Sequence, residues 1–206
     1  MWLRLVQFGF HLLYNQFAWT YDLVSGVVSL GEWRRWQFAV LPYVQGDAVL
    51  EIAHGTGHLL PMLQQAGRQT IGIDFSPFMG RIARQRTTAP LVRASAFDLP
   101  FAAEQFDTII TTFPTNFILD LRTLQTIERC LKPNGRLLIV PEGRLLGETR
   151  LHRLIGWLFY ITGQQSGSET TWDVWQAQFA LAQLDLMAET VQHARSVSTV
   201  LIASKL

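Results

Sequence analysis

Hydrophobic positions fall into two regimes along the 206 residues. Before residue 42 they recur at helical spacing. Leu3, Val6, Phe10, Leu13 and Tyr14 predict a helix over 3–16. A second helical region over 15–41 carries Tyr21, Val24, Val28 and several Trp residues, with a break near 29–32 where Ser29 and Gly31 interrupt it and Pro42 at its close. From residue 48 onward, short apolar runs alternate with amphipathic stretches. Strands are predicted over 48–52, 70–73, 91–93, 107–112 and 136–141, and helices over 58–66, 77–86 and 119–131. Such alternation implies an α/β fold, a doubly wound parallel sheet with helices on both faces. The tail departs from it. Residues 145–162 are mostly apolar with helical period, 163–168 form a polar loop, 169–182 read as another helix, and 184–190 and 198–204 read as two strands.

Composition narrows the class without changing this outline. Hydrophobic residues make up 49% of the chain and charged residues 16%, enough to build the core of one domain. A net charge of +1 gives no electrostatic case for nucleic acid as a main partner. Cys130 is the only cysteine, which excludes an internal disulfide and a Cys-based metal site, and its helical neighbours read it as a buried packing residue rather than a nucleophile; no metal site is read from the sequence. No apolar run reaches the roughly 18 residues that span a bilayer. The apolar first 17 residues lack a small-residue cleavage site and are not read as a signal peptide.

The segment Val49-Leu-Glu-Ile-Ala-His-Gly-Thr-Gly-His58 carries the chemistry. A strand runs into a Gly-Thr-Gly turn and a helix start, and the next strand, Thr70-Ile-Gly-Ile-Asp74, ends in a carboxylate able to accept both hydroxyls of a ribose. Gly55 and Gly57 permit backbone angles closed to other residues and let a ligand approach the main chain. The third glycine of a dinucleotide fingerprint is absent, since Leu60 stands in its place. Glu51-x-x-x-Gly55-x-Gly57 followed by Asp74 instead resembles the first two motifs of the Rossmann-like S-adenosylmethionine (SAM)-dependent methyltransferases. Ala53 replaces their usual first Gly, which is expected to keep negative φ at that residue. The likeness continues through Leu91 to Asp107 with its Leu99-Pro-Phe101, through Asp107 to Thr112, and through the Lys132-Pro-Asn-Gly135 turn with the strand after it.

That resemblance implies a seven-stranded, mostly parallel sheet closed by an antiparallel last strand. It implies SAM as cofactor, with Glu51, Ala53, His54, Gly55 and Gly57 around its methionine part, Asp74 on the ribose and Phe75 against the adenine. Ser95 stands where relatives have an Asp for the adenine amino group, so adenine anchoring is expected to be weaker. Ala96 and Phe97 would supply a backbone N–H and an apolar wall, and Thr112 a carbonyl for the methionine ammonium. His54 is either a base near the methyl group or a loop side chain facing solvent or the N-terminal helix. The second option is preferred because the cofactor uses mainly backbone there.

Methyl transfer from a sulfonium needs proximity and alignment more than a catalytic group. A carbon or hydroxyl nucleophile would need a base, and the candidates at the mouth are His54, Tyr14, Tyr21 and Asp22. Tyr14 to Asp22 and Ser29-Leu-Gly-Glu-Trp-Arg-Arg-Trp36 resemble the N-terminal helices of ubiquinone/menaquinone C-methyltransferases and, in part, of bacterial phosphatidylethanolamine N-methyltransferases. This implies a small hydrophobic acceptor, with a polar small molecule or a non-catalytic SAM-binding scaffold as the alternatives. The chain is divided into an N-terminal helical cap (1–42), a SAM-binding core (43–141), a helical insertion or lid (142–170) and a C-terminal helix and strand pair (171–206). Apolar residues at 145–161 interleaved with Arg144, Arg150, His152 and Arg153 read as a lid helix or a membrane-surface helix. The expected location is the cytoplasm, with contact at the inner membrane face as the open alternative. Arg81, Arg84 and Arg86 read as a solvated helix face, and Trp33, Trp36, Trp172 and Trp175 as packing.

Overall fold

Five of the predicted strands form the parallel half of one sheet in the computed structural model, which describes residues 21–146 and 169–205. They are β1 (Ala48–Ile52), β2 (Gln69–Asp74), β3 (Leu91–Arg93), β4 (Phe106–Thr112) and β5 (Leu131–Val140), ordered β3-β2-β1-β4-β5. The winding reverses between β1 and β4. The carboxyl ends of strands beside such a reversal are where open α/β sheets bind ligands. β1 and β3 start and stop where the sequence pattern puts them. β5 starts earlier than expected because the ladder with β4 takes up the Lys-Pro-Asn-Gly turn, with a register shift between Phe106 and Thr108 and Asn134 at a φ of 61°.

β6 (Gly143–Leu145), β7 (Leu184–Gln192) and β8 (Ser196–Lys205) complete the sheet. β8 runs antiparallel to β5 on one edge and to β7 on the other. Pairing slips by one residue between Ile139↔Leu201 and Gly143↔Ser198. β6 is therefore the continuation of β5 past a bulge at Pro141-Glu142, and the sheet has the expected seven tracks. The segment 142–170 thus opens with a strand, and the predicted helices over 3–16 and 145–161 lie outside the described residues.

Helices cover both faces. α1 (Tyr21–Val28), α2 (Trp33–Phe38) and α3 (Leu59–Gln65) precede β2, α4 (Pro77–Ala83) precedes β3, α5 (Leu121–Cys130) precedes β5, and α6 (Glu169–Leu181) precedes β7. Successive strand residues point to opposite faces. Leu50, Ile109 and Leu137 accordingly pack with Leu124 and Ile127 of α5 and Trp175 and Phe179 of α6. Val49, Ile110 and Leu138 pack with Leu59 and Leu63 of α3 and with Ala39 and Val40. Each such buried aliphatic side chain contributes about 1.5–3 kcal/mol. Cys130 is a core residue, and burial pushes its thiol up. Trp33, Trp36 and Trp175 are buried, and Trp172 packs against the core, as expected of packing residues. Among the described residues no helix is long and apolar enough to cross a membrane.

α2 lies over the carboxyl ends of β4 and β5. Trp33 stacks on Phe113, the residue after β4, at 3.8 Å between ring centroids. Gln37 Nε2 donates to Thr112 Oγ1 at 3.4 Å. The Trp36 ring occupies the space where Gly143 lacks a side chain. Its indole N–H donates to Ser196 Oγ at 2.9 Å, and that hydroxyl donates to Glu32 Oε2 at 2.9 Å. The Ser-x-Gly-Glu-Trp-Arg-Arg-Trp motif is thus a fastening between the N-terminal helices and the start of β8, with Ser29 Oγ accepting from Trp33 N at 3.0 Å.

Candidate cofactor site

Three of the five residues from 53 to 57 have left-handed backbone: Ala53 (φ 55°), Gly55 (φ 54°) and Gly57 (φ 76°). The negative φ expected for Ala53 is not what the loop adopts. The turn keeps the conformation a glycine would take, and Ala bears a cost of about 1–2 kcal/mol for it. The two glycines have separate reasons. A Cβ on Gly57 would lie 2.7 Å from Ala83 Cβ, so this position is set by the close approach of α4. Among the described residues a Cβ on Gly55 would meet nothing within 4 Å, so there they leave open space above the backbone.

The charged groups below this loop are in unusual states. Glu51 is 1% exposed, and its Oε2 has no hydrogen-bond partner among the described residues. Burial, reinforced by the charge of Asp74, pushes its carboxyl well above the usual range. Asp74 ends β2 and accepts from Gly55 N at 2.9 Å through Oδ2 and from Ser76 N at 2.8 Å through Oδ1. Each carboxylate oxygen keeps a second lone pair for a ligand. Burial raises the Asp74 pKa, although His54 and the two backbone N–H groups oppose the rise. Ser76 caps α4 by accepting from Met79 N at 3.3 Å, as its position before Pro77 implies.

His54 does not face solvent. It is buried, with Nδ1 2.9 Å from Gly55 O and the ring edge against Gly72, where an added Cβ would come within 3.0 Å of His54 Cδ2. Burial lowers its pKa more than Asp74 raises it, so the ring is held neutral. Phe75 is 71% exposed with the Arg93 guanidinium 5.7 Å from its ring centroid, and Phe97 is 39% exposed. These are two open aromatic faces at the ends of neighbouring strands. Ser95 Oγ accepts from Phe97 N at 3.2 Å and folds the loop that carries Ala96. Thr112, buried, sits at the end of β4. Tyr21 begins α1, but its side chain, like the whole of Tyr14, lies outside the described residues.

Asp22 is no candidate base. It accepts from Thr56 Oγ1 at 2.7 Å and from Arg86 Nη2 at 2.6 Å. His58 Nε2 lies 3.1 Å from Oδ2, near enough for an ion pair but misaligned for a hydrogen bond. Burial opposes ionisation, yet the close approach of His58, the hydrogen bond from Thr56 and the charges of His58 and Arg86 outweigh it and hold the carboxyl far below the usual range. Arg86 is likewise not merely a solvated residue, because its Nη1 also donates to Thr56 O at 2.8 Å. Sequence reasoning missed this cluster. Its only trace there was the Tyr21-Asp22 pair, since nothing local links residues 22, 56 and 86.

A glycine-floored loop, a buried carboxylate without a partner among the described residues, a strand-end Asp and two exposed aromatic rings fit a cationic nucleoside ligand. Comparison with known proteins agrees. Residues 50–139 match the methyltransferase domain family. The chain carries a class I, SAM-dependent methyltransferase domain. It is 36% identical over 131 residues to a demethylmenaquinone methyltransferase of Mycobacterium sp. (strain KMS), a match covering 62% of this chain and 56% of that protein. It is 32% identical over 155 residues to the demethylmenaquinone methyltransferase of Thermobifida fusca (strain YX), covering 70% and 65%. The matched part of this chain thus spans little more than half the length of the first of these relatives. Among solved structures, a SAM-dependent methyltransferase from Thermotoga maritima, a possible histamine N-methyltransferase, superposes with a TM-score of 0.68. It is 21% identical, and the match covers 95% of this chain and 99% of that one. At that identity the likeness speaks for the shared fold.

Proposed function

We propose that this domain transfers a methyl group from SAM to a small hydrophobic acceptor, quinone- or lipid-like, by in-line displacement. The observation that carries the cofactor half is the Glu51 carboxylate, which lacks a partner among the described residues, together with the space those residues leave over Gly55. A buried carboxylate left unsatisfied costs stability unless a ligand completes it, and the methionine ammonium is the complement. Asp74 offers its remaining lone pairs to the ribose, Phe75 and Phe97 their rings to the adenine, Ser95 its hydroxyl and Ala96 its N–H to the base edge, and Thr112 its carbonyl to the ammonium. SAM brings an already activated methyl group, so the protein's task is alignment and exclusion of water. His54, neutral and turned into the loop, serves this reading as a support of Gly55 rather than as a base.

The acceptor half is supported by the demethylmenaquinone methyltransferases among the relatives and by the N-terminal motif this chain shares with quinone enzymes. The test is transfer of isotope-labelled methyl from SAM into an extract of the source cells, with demethylmenaquinone added in a parallel reaction, followed by phase separation. Label in the organic phase is the expected outcome. Label confined to the aqueous phase would overturn the hydrophobic acceptor and favour a polar metabolite. SAM binding with no transfer in either arm would favour a non-catalytic scaffold.

A further inference from the structure

We propose that Asp22, together with Arg86, is a positioning residue for the cofactor loop: the pair grips Thr56 and so holds the Gly55–Gly57 segment in its ligand-binding shape. The proposal rests on the reading of that loop as the SAM site.

The loop's internal bond, Gly57 N donating to His54 O at 2.9 Å, and the Asp74 contact to Gly55 N leave Thr56 to be fixed from elsewhere. The two glycines have no side chains, and Ala53 is held in a conformation it disfavours. Such backbone persists only where its surroundings over-determine it. Thr56, between the glycines and 4% exposed, is the handle. Its hydroxyl donates to Asp22 Oδ1 at 2.7 Å and its carbonyl accepts from Arg86 Nη1 at 2.8 Å. Arg86 Nη2 closes the triangle on Asp22 Oδ2 at 2.6 Å. His58, directly after the loop, lies 3.1 Å from that same oxygen. On the other side Gly57 abuts Ala83, three residues before Arg86, so the loop has no room to relax toward α4.

Fastening α1 is not the cluster's main task. Helix α2, next in the chain, is already tied down through Glu32 and Trp36 on Ser196 and through Trp33 on Phe113. What Asp22 reaches, together with Arg86, is the loop. If the loop adopts its binding shape for only a fraction of the time, apparent affinity falls by that fraction.

The test measures SAM dissociation constants by calorimetry and melting temperatures for the full chain. The variants are Asp22→Ala, Asp22→Asn, Thr56→Val, Thr56→Ser and the double Asp22→Ala/Thr56→Val. Lys132→Ala, which removes an ion pair to Asp107 at the opposite end of the sheet, is the stability control, and Asp74→Ala the binding control. Asp22→Ala and Thr56→Val are expected to weaken SAM by about tenfold, as for a competent loop reduced to a tenth of the population. Asp22→Asn should fall between, since it keeps an oxygen for the Thr56 hydroxyl. Thr56→Ser should restore affinity to about the wild-type value, the double variant should be no worse than either single one, and Lys132→Ala should bind normally. Wild-type affinity in Asp22→Ala and Thr56→Val, with Asp74→Ala still impaired, overturns the positioning role alone. So does an equal affinity loss in Lys132→Ala at an equal drop in melting temperature. A wild-type chain that does not bind SAM overturns the reading of the loop and this proposal with it.

Discussion

Glu32 and Glu51 are both shut off from solvent, at 0% and 1% exposure, yet their surroundings are opposite. Glu32 accepts from Ser196 Oγ, pairs with Arg195 Nη2 at 3.1 Å and contacts Arg35. Burial alone would raise its pKa, but those hydrogen bonds and charges outweigh it and bring the carboxyl below its ordinary value. Glu51 has no such company among the described residues, and its pKa goes up. A buried carboxylate is tolerated when it is paired, and an unpaired one is a standing cost. The fastening end of the molecule meets every need of its carboxylate internally, whereas the loop end leaves one open. That difference supports the proposed binding site without reference to any relative.

The comparison breaks most visibly at Glu32. Glu32→Ala removes the acceptor that organises Ser196, Trp36, Arg35 and Arg195, and is expected to cost about 3 kcal/mol, the scale of lost hydrogen bonds to a buried charged group. Denaturant unfolding measures it, and SAM affinity should stay as in the wild type. The acid side gives the sign. A carboxyl depressed in the folded state contributes stability above its unfolded pKa, near 4.5, and that contribution is lost as pH falls through the folded value. Glu32→Gln should therefore flatten the acid limb. An unchanged unfolding free energy in Glu32→Ala would mean the fastening carries nothing.

Glu51→Gln should do the reverse. The folded wild type retains a proton that the unfolded chain releases near pH 4.5, so stability is fully present below that pH and declines as pH rises toward the folded pKa. The variant lacks this slope. Its advantage over the wild type should grow by about 1.4 kcal/mol per pH unit across the window, while its SAM affinity falls. Wild-type binding should also release a proton that the variant does not, seen as a buffer-dependent binding enthalpy. Identical pH profiles for the two proteins would show that Glu51 is not held protonated.

Asp74→Ala tests the neighbouring carboxylate. It is expected to weaken SAM at least tenfold, about 1.4 kcal/mol, with the fold intact. Unchanged affinity by calorimetry would displace the ribose from Asp74. Part of any loss comes through Gly55, whose N–H the carboxylate also holds. Asp74→Asn, which keeps an oxygen for that N–H, should recover some of the affinity.

How far the sequence carried this picture depended on the range over which each feature is determined. Strands 48–52 and 91–93 were legible because short apolar runs end at turn residues, and the α/β order followed from their alternation. The helix expected to reach residue 86 stops at Ala83. Arg86 bends away to meet Asp22 and Thr56, partners no local pattern could disclose. β6 carries no strand signature in Gly143–Leu145. It exists because β8 offers an edge and because the glycine admits the Trp36 ring. Glu51 and Asp74 could be singled out by position, but the absence of a partner for one and the double backbone contact of the other are facts of three-dimensional packing. At Ala53 the residue type pointed the wrong way, because the loop imposed its conformation on the side chain.

The smallest expected effect lies at that residue. Ala53→Gly relieves about 1–2 kcal/mol of left-handed strain but adds roughly 0.5–1 kcal/mol of unfolded-state freedom. The net gain in stability should be about 0.5 kcal/mol, a shift of a degree or two in melting temperature for a chain of this size. Stability is not the more telling readout. If the strain is borne because the Thr56 grip fixes the loop, then relieving it in an intact clamp should leave SAM affinity nearly unchanged. Relieving it in an Asp22→Ala background should recover part of the lost affinity, since the loop then needs less holding. A glycine that recovers nothing there would mean that Ala53 and the clamp act independently. The loop end would then be set by close packing of Gly57 on Ala83, and the contrast with the Glu32 fastening would rest on the unpartnered Glu51 carboxylate alone.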